Sequence, residues 1–564
     1  MPFLPTTKSE LHHLGWDRPD VILVSGDSYV DSPCMGTAVM GRVLSDAGFR
    51  VGIIAQPDVT TGEDITRLGL PRLFWGVTAG AVDSMVANYT ATGKRRKSDD
   101  YTPGGINNRR PDRAVIVYTN LIKRHFKGSG IPIVLGGIEA SLRRISHYDF
   151  KSDRIRRSIL FDSKADLLVY GMGEKSAVSL ARAMDTGTEY RGIRGICYIS
   201  GEKPDDYLEL PSHEEALKDK KAFIECFHTL YRNNDPVTAR GLVQGHQNRY
   251  LVHNPPSHIL SERELDRIYE LDFERDLHPF YKKGGHVRAL DTIRFSIPAH
   301  RGCYGECNFC AIAVHEGRTV QSRSIGSILR EAERIARLPD FKGYISDVGG
   351  PTANMYGFEC RKKLEKGSCT DKRCLFPEIC PNLRPDHGRQ IELLTRLRQM
   401  EGIKKVFVAS GLRYDLLFND RRHCIRYLEE MVSHHVSGQM KVAPEHTRKN
   451  VLDLMGKPDT DSLLELKAIF DRLSISVSKK QFLTYYLMAA HPGCTLDDMR
   501  RLKTFANEKL RIKPEQVQIF TPTPSTYSTL MYYTGLNPFT GENIFVEKTL
   551  RGKEKQKAVI MGEG

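Results

Sequence analysis

The sequence predicts an α/β protein in two parts, a Rossmann- or flavodoxin-like domain followed by a partial (β/α)6 barrel of the TIM type. Three observations carry that prediction. Short, continuous apolar runs alternate with helical stretches from Asp20 to about residue 200, the pattern of parallel strands buried on both faces. A second series of β–α repeats begins at Asp291 and gives six units before residue 538. The chain's 564 residues suffice for two or three domains, each with its own core.

The first part spans residues 1–200. Its strands are read at 21–25, 50–55, 73–76, 114–118, 131–135 and 166–170. Several end in glycine or a small polar residue, as strand-to-helix turns at the carboxyl edge of an open sheet do. Residues 36–48 have the length and glycine stop of a first crossover helix. Gly136-Gly137-Ile138-Glu139 follows one strand, and Gly171-Met172-Gly173-Glu174 follows another and opens a helix. Residues 201–290 lose the alternation and read as a connector. It carries a helix near 214–231, and a second whose Ser261 and Glu264 have capping-box spacing.

The barrel spans 291–537, with strands at 292–297, 343–348, 404–410, 439–443, 482–489 and 516–521. Helices fall between them at 324–337, 388–400, 421–434, 461–473 and 496–510. In the first of these Ile325, Ile328, Leu329, Ala332, Ile335 and Ala336 recur at helical spacing. Chemistry in such a barrel sits in the loops after the strands. The end, 538–564, reads as a short, basic, partly disordered tail.

The loop after the first barrel strand reads RGCYGECNFCAI over residues 301–312. It holds Cys303, Cys307 and Cys310 in C-x3-C-x2-C spacing, with Phe309 directly before the last. Thiolates so spaced can take three corners of an iron–sulfur cube and leave the fourth iron open to a substrate or cofactor. A structural zinc knot or an electron-transfer cluster normally takes a fourth protein ligand, and the next cysteine, Cys360, is far along the chain. The spacing resembles that of the radical SAM enzymes. The resemblance implies a [4Fe–4S] cluster on Cys303, Cys307 and Cys310, with S-adenosylmethionine chelating the open iron. It also implies cleavage to a 5′-deoxyadenosyl radical that abstracts hydrogen, fed by a reductant of the flavodoxin or ferredoxin type.

The other loops are read against that resemblance. Gly349-Gly350 follow the second strand, where the family contacts the methionyl amino group. Ser410 and Arg413 follow the third, where similar enzymes hold the ribose and carboxylate. Glu445, beside His446, follows the fourth. With Phe309 these are the expected cofactor-binding residues, and no catalytic acid or base is assigned. The glycine turns of the first part resemble those of the cobalamin-binding domain that precedes the barrel in many radical SAM enzymes. The D-x-H-x-x-G motif of that domain is absent, because the first turn reads Ser25-Gly26-Asp27-Ser28-Tyr29. Cobalamin is therefore not expected.

The long connection at 351–388 is an insertion with a second cysteine set, Cys360, Cys369, Cys374 and Cys380, spaced C-x8-C-x4-C-x5-C. Four thiolates can close a zinc site or hold a second iron–sulfur cluster. The lack of a C-x2-C knuckle favours the cluster. The order of parts then resembles the YgiQ family of radical SAM proteins, through TPGG at 102–105, RRPDRA at 109–114, GGIEASLRR at 136–144, SDVGGPTANMY at 346–356, CPN at 380–382 and KVAPEH at 441–446.

Net charge is +14, and residues 91–160 hold 16 Lys/Arg against 6 Asp/Glu. Such a surplus favours an anionic partner such as RNA, a nucleotide or a phosphorylated metabolite, or else forms a solvated face of a loop-rich segment. An RNA-modifying, methylthiotransferase-like enzyme and a non-catalytic, basic, metal-stabilised binding protein are the competing readings. The start of the chain lacks the pattern of a signal peptide, no apolar run is long enough for a bilayer, and the 12 cysteines read as reduced thiols. A cytoplasmic protein without membrane attachment is expected.

Overall fold

The computed structural model describes residues 3–562. Two compact units divide the chain. The first runs to Ile259 and takes back Arg267–Arg294, and the second comprises Leu260–Asp266 and the chain from Phe295.

The first unit is built on a nine-stranded sheet. Its strands are β1 (Val21–Ser25), β2 (Val51–Ala55), β3 (Phe74–Thr78), β4 (Ile133–Leu135), β5 (Leu167–Val169), β6 (Ile196–Ser200), β7 (Leu208–Leu210), β8 (Leu242–His246) and β9 (Arg249–His253). They lie in the order β7-β8-β9-β6-β5-β4-β3-β1-β2. β2, β1, β3, β4 and β5 are parallel neighbours, and β6, β9 and β8 continue the sheet antiparallel. Every residue of β1 and β2 is buried, which explains their unbroken apolar sequence. Helix α1 (Gly36–Asp46) is the expected first crossover, and α3 (Glu174–Thr186) opens at Gly173 as its turn suggested.

Two readings of this region are corrected. Residues 114–118 form no strand. They begin α2 (Ala114–His125), whose buried Ala114, Val115, Tyr118, Thr119, Leu121 and Ile122 recur at helical rather than alternating spacing. A five-residue apolar window cannot separate the two, and the longer one could. The stretch read as a connector contributes β7, β8 and β9, so it completes this unit's sheet. The helix expected at 214–231 is two, His213–Lys218 and Lys220–Arg232, broken at Asp219, whose side chain caps the second.

Most of the basic side chains between residues 91 and 160 are exposed, but several are buried or paired with carboxylates. Arg110 pairs with Asp27 and Asp99, Arg113 with Asp149, Arg143 with Asp83 and Arg156 with Asp162. Lys94, Arg95, Arg96 and Lys97 remain exposed.

The second unit carries short parallel strands that meet in sequence order. β10 (Ser296–Pro298) pairs with β12 (Asp347–Gly349), and β11 (Tyr344–Ile345) with β13 (Lys405–Val406). A parallel bridge joins Leu412 to Val442 in β14 (Gln439–Glu445). β14 then pairs with β15 (Phe482–Ala489), and β15 with β16 (Val517–Ile519). Helices fall between the strands, among them α5 (Ile325–Ala336), α6 (Gly388–Arg398), α9 (Asp461–Ser476) and α10 (Leu496–Phe505). The preceding α4 (Glu262–Tyr269) opens with the Ser261–Glu264 capping pair, and α7 (Cys424–Glu430) and α8 (Lys449–Met455) lie on either side of β14. Ile328, Ala332 and Ile335 of α5 enter one core with Val348, Val406, Val442 and Tyr485.

Two boundaries differ from expectation. Leu290–Ile293 is a helical turn, so the first strand starts only at Ser296. The region expected to be a partly disordered tail contains α12 (Leu550–Met561), which follows α11 (Tyr527–Thr534). Ile560 packs with Met499 and Leu502 of α10. Gln556 accepts from Ala490 N at 2.8 Å and donates to Cys494 O at 2.9 Å. The basic composition masked a few well-placed inward residues. Among the described residues, no helix is long and apolar enough to cross a membrane.

Candidate functional site

After β10 the chain passes through His300–Arg301, which pairs antiparallel with Gln321–Ser322 and so pins both ends of the cysteine loop. Gly302 has φ 79°, open to glycine, and its N–H donates to Glu316 Oε2 at 3.0 Å. Cys310 N donates to Cys307 O at 3.0 Å, closing a turn between two of the three cysteines.

Gly305 lies inside the bend. A Cβ there would sit 3.2 Å from Cys303 Sγ, 3.6 Å from Cys307 Sγ and 2.8 Å from Arg413 Nη1. Two sulfurs and a guanidinium thus face one point that only glycine leaves open. Gly305 N donates to Cys303 Sγ at 3.3 Å, Thr352 Oγ1 lies 3.5 Å from the same sulfur, and Arg413 Nη1 donates to Cys307 Sγ at 3.7 Å. Burial, and then the neighbouring Cys307, pushes the Cys303 and Cys310 thiols up. Three crowded thiolates are therefore unfavourable by themselves, and bound metal would reverse that balance.

Arg413 is held on two sides. Burial opposes its charge, but Asp415 restores it through Nε–Oδ1 at 3.0 Å and Nη2–Oδ2 at 2.5 Å. Its backbone is clamped by Asn354, which accepts from Arg413 N and donates to Arg413 O, both at 2.9 Å. Asn354 also donates to His387 Nε2 at 3.2 Å, and His387 Nδ1 meets Asp420 Oδ2 at 2.8 Å. Asn354, His387 and Asp420 are all buried. This chain, Asp420–His387–Asn354–Arg413–Cys307, joins the loops after the second and third strands to the cysteine loop. The motif SDVGGPTANMY contained Asn354, but nothing in its spacing marked it as the clamp.

Gly349 and Gly350 lie at the end of β12. A Cβ on Gly349 would sit 2.8 Å from Ser410 Oγ, and one on Gly350 would sit 2.7 Å from His300 O. Both glycines are required by close packing whatever ligand approaches them. Ser410 Oγ donates to Asp347 Oδ2 at 2.9 Å, and Ala409 N to Asp347 Oδ1 at 2.7 Å. Burial pushes the Asp347 carboxyl up despite those donors. Asp347 was not singled out from the sequence.

Glu445 ends β14 with φ 66°, strained for a residue with a side chain. Burial raises its carboxyl, and Lys457 works against that. Glu306 in the cysteine loop, Ala490 after β15 and Ser525 after β16 share the left-handed conformation, at 47°, 58° and 56°. Strain in non-glycine residues thus recurs in the loops that follow the strands. Phe309 packs in the apolar cluster of Leu487, Ala489 and Met499, and its ring meets His491 edge-on at 6.3 Å. Cys494 is buried, with Sγ 3.7 Å from His446 Nε2.

The second cysteine set also comes together. Cys360, Cys369, Cys374 and Cys380 line one small cavity.

Comparison with known proteins gives the class and then the family. The family model described as "Radical SAM N-terminal" matches residues 3–296, and one described as "Domain of unknown function (DUF3362)" matches residues 515–561. Two solved structures share the fold, each with a TM-score of 0.50. One is the radical S-adenosylmethionine methyltransferase TsrM of Kitasatospora setae with cobalamin and a [4Fe-4S] cluster bound, 14% identical over 89% of this chain and 73% of that one. The other is the cobalamin-dependent S-adenosylmethionine radical enzyme OxsB, with aqua-cobalamin and S-adenosylmethionine bound, 13% identical over 90% of this chain and 54% of that one. This is an enzyme of the radical SAM type. The chain belongs to the UPF0313 family, the proteins with a YgiQ-like radical SAM N-terminal domain. It is 58% identical over 560 residues to the UPF0313 protein of Fusobacterium nucleatum, covering 99% of both chains, and 49% identical over 562 residues to that of Thermotoga maritima, covering 99% and 98%.

Proposed function

We propose that the second unit, read as a partial (β/α)6 barrel, holds one [4Fe–4S] cluster on Cys303, Cys307 and Cys310, with S-adenosylmethionine beside it. The convergence of thiols and guanidinium around Gly305 carries this reading. The donor set fits the group: three thiols on one pinned loop, two of them facing the Gly305 bend with a cationic side chain beside them. When bound, the cluster and S-adenosylmethionine supply reductive cleavage to a 5′-deoxyadenosyl radical for hydrogen abstraction.

The chain's own work is to bind and orient. Arg413 offers a fixed guanidinium to a carboxylate, since Asp415 occupies only one of its edges. Asp347, held by Ser410 and Ala409 beside Gly349, is an acceptor for a cofactor ammonium group. Glu445 supplies a second, half-buried carboxyl. We give Phe309 a packing role only.

We also infer that this chain works without cobalamin, although both solved neighbours bind it. The carboxyl edge of β1, β2 and β3 is filled by the chain's own segment 99–110. Arg110 Nη2 meets Asp27 Oδ1 at 2.7 Å and Asp99 Oδ2 at 3.1 Å, and its Nη1 donates to Ala79 O at 2.6 Å. Gln56 Nε2 donates to Gly26 O at 2.9 Å and Thr102 Oγ1 at 2.7 Å. A corrin ring at that edge would have to expel a fully paired, buried arginine.

The test is anaerobic reconstitution with iron and sulfide, reduction with S-adenosylmethionine, and assay of 5′-deoxyadenosine. Cys307→Ala is expected to abolish deoxyadenosine while leaving circular dichroism unchanged. Cleavage retained in that variant would overturn the assignment.

A further inference from the structure

We propose that Cys360, Cys369, Cys374 and Cys380 form a second metal site that holds a [4Fe–4S] cluster ligated on all four irons. The proposal stands apart from the assignment of Cys303, Cys307 and Cys310. Its first support is geometric. The four cysteines are spread over 21 residues yet line one cavity together with Lys363 and Arg373. Local structure brings them there. Cys360 directly precedes the short helix Arg361–Lys366, Gly367 at φ 80° turns the chain back, and Cys380 N donates to Cys374 O at 2.9 Å. Cys360 and Cys380 are buried, and both join the apolar cluster of Tyr304, Phe358 and Leu375.

The second support is electrostatic. Four thiolates carry more negative charge than an oxidised iron–sulfur cube cancels, so such a site needs cations within reach. Lys363 is buried, 4% exposed, and its ammonium group donates to Cys374 Sγ at 3.6 Å. It also meets Glu306 Oε1 at 3.6 Å, and Arg373 Nη1 donates to Glu306 O at 3.0 Å. Residues 361–380 hold six Lys/Arg against three Asp/Glu. Lys363 also donates to Arg318 O, and it places a cation beside a sulfur that would be ionised as a metal ligand.

The third support is the spacing. C-x8-C-x4-C-x5-C has no C-x2-C knuckle, which favours a cube, whose sulfur ligands sit on four separate irons, over zinc. Four protein ligands leave no open iron, so this site carries electrons or stabilises the loop and does not take S-adenosylmethionine. Its wall includes Lys363 and Arg373, both bonded to Glu306 beside Cys307, so the two cysteine sets are neighbours in one unit.

The experiment uses the full chain reconstituted anaerobically. Wild type should carry about eight irons and eight acid-labile sulfides. The triple variant Cys303→Ala/Cys307→Ala/Cys310→Ala should keep about four of each, with the absorbance and the reduced-state electron paramagnetic resonance signal of a cube. On intact wild type, which needs no variant to fold, reduction should give two signals, and S-adenosylmethionine should shift only one. Wild type with about four irons and a single signal, or a triple variant that holds zinc or no metal while wild type holds four irons, would overturn the proposal. Loss of deoxyadenosine in wild type with both signals present would instead count against the first site.

Discussion

Asn354→Ala is the sharpest test of the positioning chain. The residue is 0% exposed and makes three hydrogen bonds, two to the backbone of Arg413 and one to His387. Truncation leaves Arg413 N, Arg413 O and His387 Nε2 without that partner in a site closed to water. Each buried group left unsatisfied costs about 1–3 kcal/mol, and partial relaxation reduces the sum, so we expect a loss of about 2–4 kcal/mol. At roughly 2–4 °C per kcal/mol for a unit of this size, Tm should fall by about 5–15 °C. The functional effect follows from geometry. Arg413 keeps its bond to Asp415, but its backbone is released, so the guanidinium no longer has a fixed position beside Cys307. A loss of about 1–2 kcal/mol in cofactor binding corresponds to roughly a 5- to 30-fold rise in the Kd for S-adenosylmethionine. Iron content should not change, because the three thiols are untouched. Calorimetry of S-adenosylmethionine binding to the reconstituted variant, beside a thermal melt, measures both effects. Unchanged affinity together with a Tm within about 1 °C of wild type would refute the reasoning.

Further expectations follow from the same geometry. Gly350→Ala places a Cβ 2.7 Å from the backbone oxygen of His300, which cannot swing aside, so stability should fall by about 1–3 kcal/mol in a denaturant melt. Burial pushes His300 and His446 down to about 4 from 6.5, so between those values the unfolded chain binds more protons than the folded one. Their contribution is therefore present above pH 6.5 and declines as pH falls toward 4, and urea midpoints at pH 7 and 5 should show a drop that His446→Gln reduces. Deletion of α12 removes the Gln556 bonds to Ala490 and Cys494 and uncovers Met499 and Leu502, so it should destabilise the second unit by several kcal/mol or leave it insoluble. An unchanged melt after that deletion would mean the helix contributes nothing to the core.

The parallel strands were legible because strands buried on both faces must be apolar throughout, and the cysteine loop because its spacing is chemically restrictive. Length limited the reading elsewhere. Residues 114–118 are apolar in either a strand or a helix, and only Leu121 and Ile122, one turn further on, reveal the helical period. β7 was hidden because it is three residues long at the sheet's edge, and β8 and β9 because polar residues such as Gln244, His246, Arg249 and His253 interrupt their apolar pattern. Asn354, His387 and Asp420 lie far apart in sequence, and their contact depends on how the loops after two strands meet. No periodicity encodes that.

Side chains, rather than fold, decide what the first unit does. Its fold is shared with two solved enzymes that carry cobalamin, and fold likeness alone would assign that cofactor here. The missing histidine argues against it only weakly, since a cofactor can bind without a protein ligand to its metal. The occupied edge argues more strongly. Asp27 stands two residues after the end of β1, buried, with its carboxyl raised first by burial and then lowered by Arg110. Arg110 in turn reaches a backbone oxygen beyond β3. One guanidinium thus ties two strand ends to the segment that covers them. Removing it would leave two buried carboxylates, Asp27 and Asp99, without their cation, at a cost of about 3–5 kcal/mol for breaking such a pair. A ligand that displaced Arg110 from this edge would have to offset that cost before contributing affinity of its own, which is the ground on which we propose that the chain works without the macrocycle.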